Sequence, residues 1–307
     1  MYIDALIFIL GCAALVKASE YAVESIAHIA RAFRMTEFVT SFILVALISA
    51  LPETFISVFS ALEGDPSLGL GTLLGSNIAD LTLILGLVAL AGHPIRIQSH
   101  IIQKDLYFAA LTMLPIILGL DGFLTRLDAV ILLVAGTSFI FILLEESMYF
   151  RKPYNDGNHF YKQLAIFFCA VIVLLVSANF IVSSAESLAI GLGIPTVMIG
   201  LFLIALGTTL PEFIFSLHSI KKGHAELAIG DILGVVVVDA TLIIGITALV
   251  MPIAINTFLL SMIGMFTAFA VVFALLFMRS DGVLTKNEGM ALVLFYVAFV
   301  VVQMLVA

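Results

Sequence analysis

Ala46-Leu-Ile-Ser-Ala-Leu-Pro-Glu53 and Ala205-Leu-Gly-Thr-Thr-Leu-Pro-Glu212 are two versions of one segment, 159 residues apart. Across 46–60, seven of fifteen positions are identical to their counterparts in 205–219. At the same shift, and without a gap, Gly75 falls on Gly234, Asp80 on Asp239 and Gly86 on Gly245. Further along, Asp121-Gly-Phe-Leu-Thr125 answers Asp281-Gly-Val-Leu-Thr285 at a shift of 160. The chain therefore repeats itself once, end to end.

What repeats is a set of membrane spans. Of 307 residues, 63% are hydrophobic and 11% charged, with a mean hydropathy of +1.24. Soluble proteins carry about 25% charged residues. That deficit excludes a nucleic-acid binder, a disordered chain and a cytoplasmic enzyme. Apolar runs bounded by charge, Gly or Pro place ten spans near 4–30, 36–61, 68–91, 105–120, 126–149, 161–190, 195–220, 226–251, 257–278 and 284–306. The longest hydrophilic loop, Arg151 to Asn158, is eight residues and leaves no room for a soluble domain. Asp4 stands where a signal peptide would carry basic residues, so Met1 onward reads as mature protein. Cys12 and Cys169 lie inside apolar runs and read as core.

Basic residues set the orientation. Eleven of the thirteen Lys and Arg fall in odd-numbered loops, leaving Arg126 in an even-numbered loop and Lys17 within the first span. The positive-inside rule then puts both termini outside a cell membrane. Five spans per half is an odd number, so the second half enters the membrane from the opposite side. The expected fold is an all-α integral membrane protein of ten transmembrane helices in two inverted five-helix repeats. Residues 1–150 hold the first repeat with its motif at 46–86, and 151–307 the second with its motif at 205–245. Inverted repeats with a site at their interface are the architecture of secondary transporters.

The acids say what such a site would hold. Glu53, Asp80, Glu212 and Asp239 lie near the centres of spans two, three, seven and eight, and no Lys or Arg lies in the interior of those spans to pair with them. A charge at a helix centre costs roughly 2.5–3.5 kcal/mol on insertion scales, so bound cations or protons must neutralise these acids. Ser49, Thr208 and Ser76 sit four residues before Glu53, Glu212 and Asp80, which puts a hydroxyl on each carboxylate's face. Pro52 and Pro211 should break their helices beside the Glu, turning carbonyls of 46–49 and 205–208, Ala46 and Ala205 among them, into ligands. Oxygen donors without Cys or His suit hard ions such as Ca2+, Na+ or Mg2+.

These segments resemble the two alpha-repeats of the calcium:cation antiporter superfamily, most nearly its sodium/calcium exchanger branch. That family's pattern is Gly-Thr-Ser-Leu-Pro-Glu, then Gly-Ser-Asn followed by Ala-Asp or similar. Here Gly207-Thr-Thr-Leu-Pro-Glu212 and Gly75-Ser-Asn-Ile-Ala-Asp80 match it. The resemblance implies a Ca2+ site of Glu53 and Glu212 with the Ser49 and Thr208 carbonyls. It implies an outward sodium site of Glu53, Ser76, Thr209 and the Ala205 carbonyl. Asp80 and Asp239 become flanking polar positions, at least one protonated, and Asn77 is kept. The mirrored inward sodium site should use hydroxyls at 50 and 235, but the residues are Ala50 and Val235, and Val236 replaces the second Asn.

The expected activity is antiport of Ca2+ against Na+ or H+ by alternating access, with fewer Na+ than a three-sodium exchanger. The ions and the lipid bilayer are then the partners, and neither a catalytic role nor a cofactor is expected. A proton/calcium exchanger, a Mg2+ antiporter and a cation channel with acidic rings are the rival readings. Elsewhere, Lys17, Glu20 and Glu24 share a stripe that reads as a salt-bridged inner face. His224 reads as solvated, and His218 does not share the face of Glu212. The paired glycines Gly71/Gly75 and Gly230/Gly234 read as close-packing positions.

Overall fold

The computed structural model describes residues 2–33, 35–64, 66–91, 95–96, 105–149, 160–191, 209–279 and 282–306. Nearly all of them are helical. Helix α1 is Tyr2–Phe33; the second span is α2 (Glu37–Thr40), a π-helical turn at Ser41–Val45, α3 (Ala46–Ser49) and α4 (Leu51–Leu62). The third is α5 (Pro66–Ala79), a π-helical turn at Asp80–Ile84 and α6 (Leu85–Ala91). Then come α7 (Asp105–Leu118), α8 (Arg126–Tyr149), α9 (Phe160–Gly191) and α10 (Leu210–Lys221). The chain closes with α11 (Ala225–Val237), a π-helical turn at Val238–Ile243, α12 (Ile244–Val250), α13 (Thr257–Arg279) and α14 (Lys286–Val306).

The duplication persists at the level of elements. Shifted by 159, Leu51–Leu62 falls on Leu210–Lys221, and the π-helical turn at Asp80–Ile84 falls within Val238–Ile243. Helices α4 and α10 end alike, on Gly64 (φ 95°) and Gly223 (φ 83°). This left-handed backbone favours glycine, so the chain turns there without strain. Helices α8 and α14 start alike, each with a capping box. Thr125 N–H donates to Asp128 Oδ2 at 2.8 Å and Thr285 N–H to Glu288 Oε2 at 2.8 Å. The return bonds run from the N–H of Asp128 and of Glu288 to the two threonine hydroxyls at 3.3 and 3.4 Å. Four two-residue strands stitch the halves crosswise. Ile95–Arg96 pairs antiparallel with Val283–Leu284, and Phe123–Leu124 with Ile253–Ala254.

Among the described residues six helices are long and apolar enough to cross a membrane, or seven when Ile9–Ala32 and Glu37–Ser49 are taken as one bent span. Two of the expected ten depart from a simple rod. The second span fails on continuity rather than on length, because it breaks at Ala50 (φ −73°, ψ 5°). The fourth has only 14 helical residues, Asp105–Leu118, with Pro115 inside. Most of 195–220 before Thr209 lies outside the described residues.

Burial separates a centre from a rim. Within an 18-residue apolar stretch of each helix, 78% of residues are buried in Gly69–Ala91 and 83% in Ala225–Val250, against 28% in Arg126–Glu145 and 22% in Lys286–Leu305. Phe141, Ile172, Val176, Leu294 and Val301 are exposed on the rim helices. So much outward apolar surface fits lipid rather than water, and the protein is a multi-pass membrane protein. Helices α1 and α9, 32 residues each, pair lengthwise through Ala18, Ala22, Ile26, Phe167, Ala170 and Leu174. Cys169 on α9 is exposed, contrary to a core reading: it sits on the side turned away from α1. The side chain of Cys12 lies outside the described residues.

Candidate cation site in the membrane core

Both Leu-Pro-Glu segments start a helix. Ala50 (ψ 5°) and Thr209 (φ −88°, ψ 0°) leave the helical conformation, and Pro52 and Pro211 then sit in the first turns of α4 and α10. Proline is tolerated there because the first-turn N–H groups have no intrahelical partner. Glu53 and Glu212 thus lie in the first turn of a helix, where free N–H groups and the helix dipole favour negative charge. The Ala46 carbonyl is not wholly freed by this break: it accepts from Ala50 N–H at 3.0 Å and from Ser49 Oγ at 3.4 Å. A carbonyl has two lone pairs, so cation contact would compete only with the longer bond.

Asp80 opens one π-helical turn and Asp239 lies in the other. Such turns shift the backbone register and recur at functional sites. Glu53, Asp80, Glu212 and Asp239 are each no more than 1% exposed. Glu53 acts electrostatically on the other three, so the four form one cluster. Ser76 Oγ donates to Asp239 Oδ2 at 3.2 Å, joining the third span to the eighth. Asn77, fully buried, makes no hydrogen bond among the described residues with either amide atom, and neither do both carboxylate oxygens of Asp80. The two Glu212 oxygens accept none either. Buried polar atoms are nearly always paired, so this many orphans in one cluster mark a candidate site for small ions or ordered water.

A fifth carboxylate belongs to this region, and the repeat does not disclose it. Asp231 on α11 is fully buried, receives the Ser49 hydroxyl on Oδ1 at 3.2 Å, and acts electrostatically on Asp80 and Glu212. Its mate at the 159 shift is Thr72, so a search for mirrored acids passes over it. Residue-by-residue charge accounting along 226–251 is the signal that finds it. Among the described residues no three Asp, Glu, His or Cys side chains converge as a ready-made metal cage. A cation here would take one or two carboxylates and complete its shell with hydroxyls and carbonyls, as hard ions do.

The expected ligands divide accordingly. Ala46, Ser49, Glu53, Ser76, Asn77, Asp80, Thr209, Glu212 and Asp239 are all buried, on α3, α4, α5, the π-helical turns at Asp80–Ile84 and Val238–Ile243, and the start of α10. Ala205 and Thr208 lie outside the described residues. Ala50 and Val235 belong to one apolar cluster with Ala46 and Ile78, so the two positions that lack hydroxyls are packed dry. Close packing holds these spans together. A Cβ on Gly234 would lie 2.6 Å from both the Ala46 Cβ and the Phe42 carbonyl, and one on Gly230 2.5 Å from the Phe38 carbonyl. Nothing described lies within 4 Å of a Cβ on Gly71 or Gly75, and residues 201 and 205, the mates of Phe42 and Ala46, lie outside the described residues.

The outlying charges pair more than the sequence implied. Lys17 contacts Glu20 at 2.5 Å as expected, while Glu24 binds Lys222 at the end of α10, at 2.6 Å. His224 is not simply solvated: Nδ1 lies 2.9 Å from both Glu37 carboxylate oxygens, linking the starts of α11 and α2. His218 Nδ1 meets the Ile214 carbonyl at 3.0 Å, within its own helix.

Comparison with known proteins now gives the class. The family model described as "Sodium/calcium exchanger protein" matches residues 3–144 and 162–305. The chain belongs to that family. It is 26% identical to the sodium/calcium exchanger MaX1 of Methanosarcina acetivorans, over 98% of each chain. It is 26% identical to the inner membrane protein YrbG of Escherichia coli, over 82% of this chain and 81% of that one. Among solved structures, the sodium-calcium exchanger NCX_Mj matches with a TM-score of 0.85 and 23% identity, over 97% of this chain and 98% of that one. The fold is therefore that of NCX_Mj.

Proposed function

We propose that the chain is a secondary-active antiporter that exchanges Ca2+ for Na+ by alternating access. It has ten spans in two inverted halves, 1–150 and 151–307, with both termini outside. The observation that carries this reading is the cluster of Glu53, Asp80, Glu212 and Asp239, buried on helices with no Lys or Arg in their interiors. An uncompensated carboxylate in the interior costs several kcal/mol even after relaxation. A protein carrying this cluster empty would have to move uncompensated charge past a new set of neighbours. Loaded, the Glu53 and Glu212 pair is balanced by one Ca2+ or by two monovalent ions. The crossing is therefore open to occupied sites and closed to empty ones, which enforces exchange over leak.

The roles rest on the resemblance of the two repeats to the family's motif. Glu53 and Glu212, presented by paired helix starts, hold Ca2+ with the carbonyls at Ser49 and Thr208. Glu53, Ser76, Thr209 and the Ala205 carbonyl hold Na+ on the outward side. Asp80, Asp239 and Asn77 flank them. With Ala50 and Val235 in place of hydroxyls, the inward sodium position is lost and Ca2+ exchanges for two monovalent charges. Helices α1 and α9 meet the core through a mainly apolar face against Val45, Phe215 and Leu227, to which α1 adds the Ser19 hydroxyl on the Ile214 carbonyl and the Lys222–Glu24 pair. That suits elements that slide across the core. The test is Ca2+ uptake into proteoliposomes against an imposed Na+ gradient, repeated with a proton gradient. Uptake that follows Na+ supports the reading; uptake that follows only protons replaces Na+ by H+ as the coupling ion.

A further inference from the structure

Asp231 has no place in the exchange scheme above, and its surroundings are specific. One oxygen accepts the Ser49 hydroxyl at 3.2 Å; the other, Oδ2, is buried without a hydrogen-bond partner among the described residues. Backbone-close packing at Gly230 and Gly234 presses α11 onto Phe38–Ala46 and so delivers Asp231 to Ser49. Ser49 also lines a cavity of about 20 Å3 with Val45, Val171, Leu174, Pro211 and Phe215, between α9 and the core. Apart from Ser49 that lining is apolar and Asp231 is not part of it, so the cavity is a space beside the pair and not the seat of an ion.

Depth assigns the pair to one side. Asp231 is six residues from the start of α11 at Ala225, which follows the basic loop Lys221-Lys222, and Asp239 is fourteen. At 1.5 Å per residue the two acids are about 12 Å apart along the helix, with Asp231 nearer the cytoplasmic end. Charge assigns the ligand. One carboxylate and one hydroxyl neutralise a monovalent cation fully, whereas Ca2+ would leave an uncompensated positive charge in the low-dielectric core. The Ser49 hydroxyl can turn its hydrogen to the Ala46 carbonyl, 3.4 Å away, leaving its lone pairs and both Asp231 oxygens for the ion.

We infer that Asp231 and Ser49 form an additional Na+ site on the cytoplasmic approach, which takes up Na+ ahead of the central carboxylates. The inference rests on the Na+/Ca2+ exchange reading. The site stages an ion and adds none to the transported count. It also stands one helical turn before Val235, on the same face, where the hydroxyl of an inward sodium site is missing.

The experiment is Na+-driven 45Ca2+ flux by the full-length protein in sealed vesicles of both orientations, with Na+ titrated at the bathing face. Asp231→Asn is expected to raise half-saturating Na+ about fivefold or more at the cytoplasmic face. At the outer face it should leave half-saturating Na+ nearly unchanged. Ser49→Ala should shift cytoplasmic Na+ in the same direction. No shift, or an equal shift at both faces, overturns the inference while leaving the exchanger reading intact. A folded Asp231→Asn protein dead from both faces would place Asp231 in the central site, and overturns it too. Wild-type protein without Na+-dependent flux overturns the exchanger reading itself, and this inference with it.

Discussion

The Ser76 hydroxyl lies 3.2 Å from Asp239 Oδ2, a hydrogen bond between residues 163 apart in sequence and on opposite halves of the duplication. It is matched by the bond from Ser49 to Asp231, also 3.2 Å, again from a serine of the first half to an aspartate of the second. Both serines hold a neighbouring carbonyl as well, Leu73 at 3.1 Å and Ala46 at 3.4 Å. Each hydroxyl is thus poised between a backbone oxygen and a carboxylate, an arrangement a cation can enter by replacing the hydrogen bond to the carboxylate.

Ser76→Ala removes one such hydroxyl. Hydrogen bonds to charged groups are worth about 1.5–3 kcal/mol, and 1.4 kcal/mol is tenfold in affinity. Half-saturating Na+ measured at the outer face is expected to rise about tenfold, with the protein still folded. An unchanged value would remove Ser76 from the ligands.

Gly234→Val tests the packing that brings the halves together. The new side chain would meet the Phe42 carbonyl and Ala46 Cβ at 2.6 Å, and backbone there cannot retreat cheaply. Overpacking of this kind costs about 1–3 kcal/mol. The thermal midpoint in detergent should drop and Ca2+ flux should fall with it. A variant as stable and active as the parent would contradict the observed helix approach.

How much of this was legible in the sequence depended on the repeat. Glu53, Glu212, Asp80 and Asp239 could be read because each acid has a mate at 159 in an apolar run. The break at Ala50 and Thr209 followed from proline chemistry alone. Asp231 escaped because its mate is Thr72, and the His224–Glu37 pair because its partners are 187 residues apart. The π-helical turns at Asp80–Ile84 and Val238–Ile243 were not legible either: one extra residue in a turn scarcely changes an apolar pattern buried on all sides. Glu24 was assigned to its own helix, but its partner Lys222 comes from α10, which no spacing within α1 reveals.

Ala50→Ser with Val235→Ser restores the two hydroxyls missing from the inward sodium position. Both sites are buried, at 0% and 2% exposure, so a hydroxyl there needs a partner or costs about 1–3 kcal/mol. Sodium supplies that partner. In potential-clamped proteoliposomes the wild-type exchange should respond weakly to voltage and the double variant steeply. Steep voltage dependence in the wild type would contradict the two-charge exchange.

The central claim is that Glu53 and Glu212 hold the transported cation. The direct measurement is 45Ca2+ uptake by Na+-loaded proteoliposomes carrying wild type, Glu53→Gln or Glu212→Gln. Glutamine keeps the shape and removes the charge, and the loss of a buried negative charge among other carboxylates should not unfold the protein. The account predicts uptake at background level for both variants, with the protein folded and Ca2+ no longer raising its thermal midpoint. Normal uptake by either variant would contradict it.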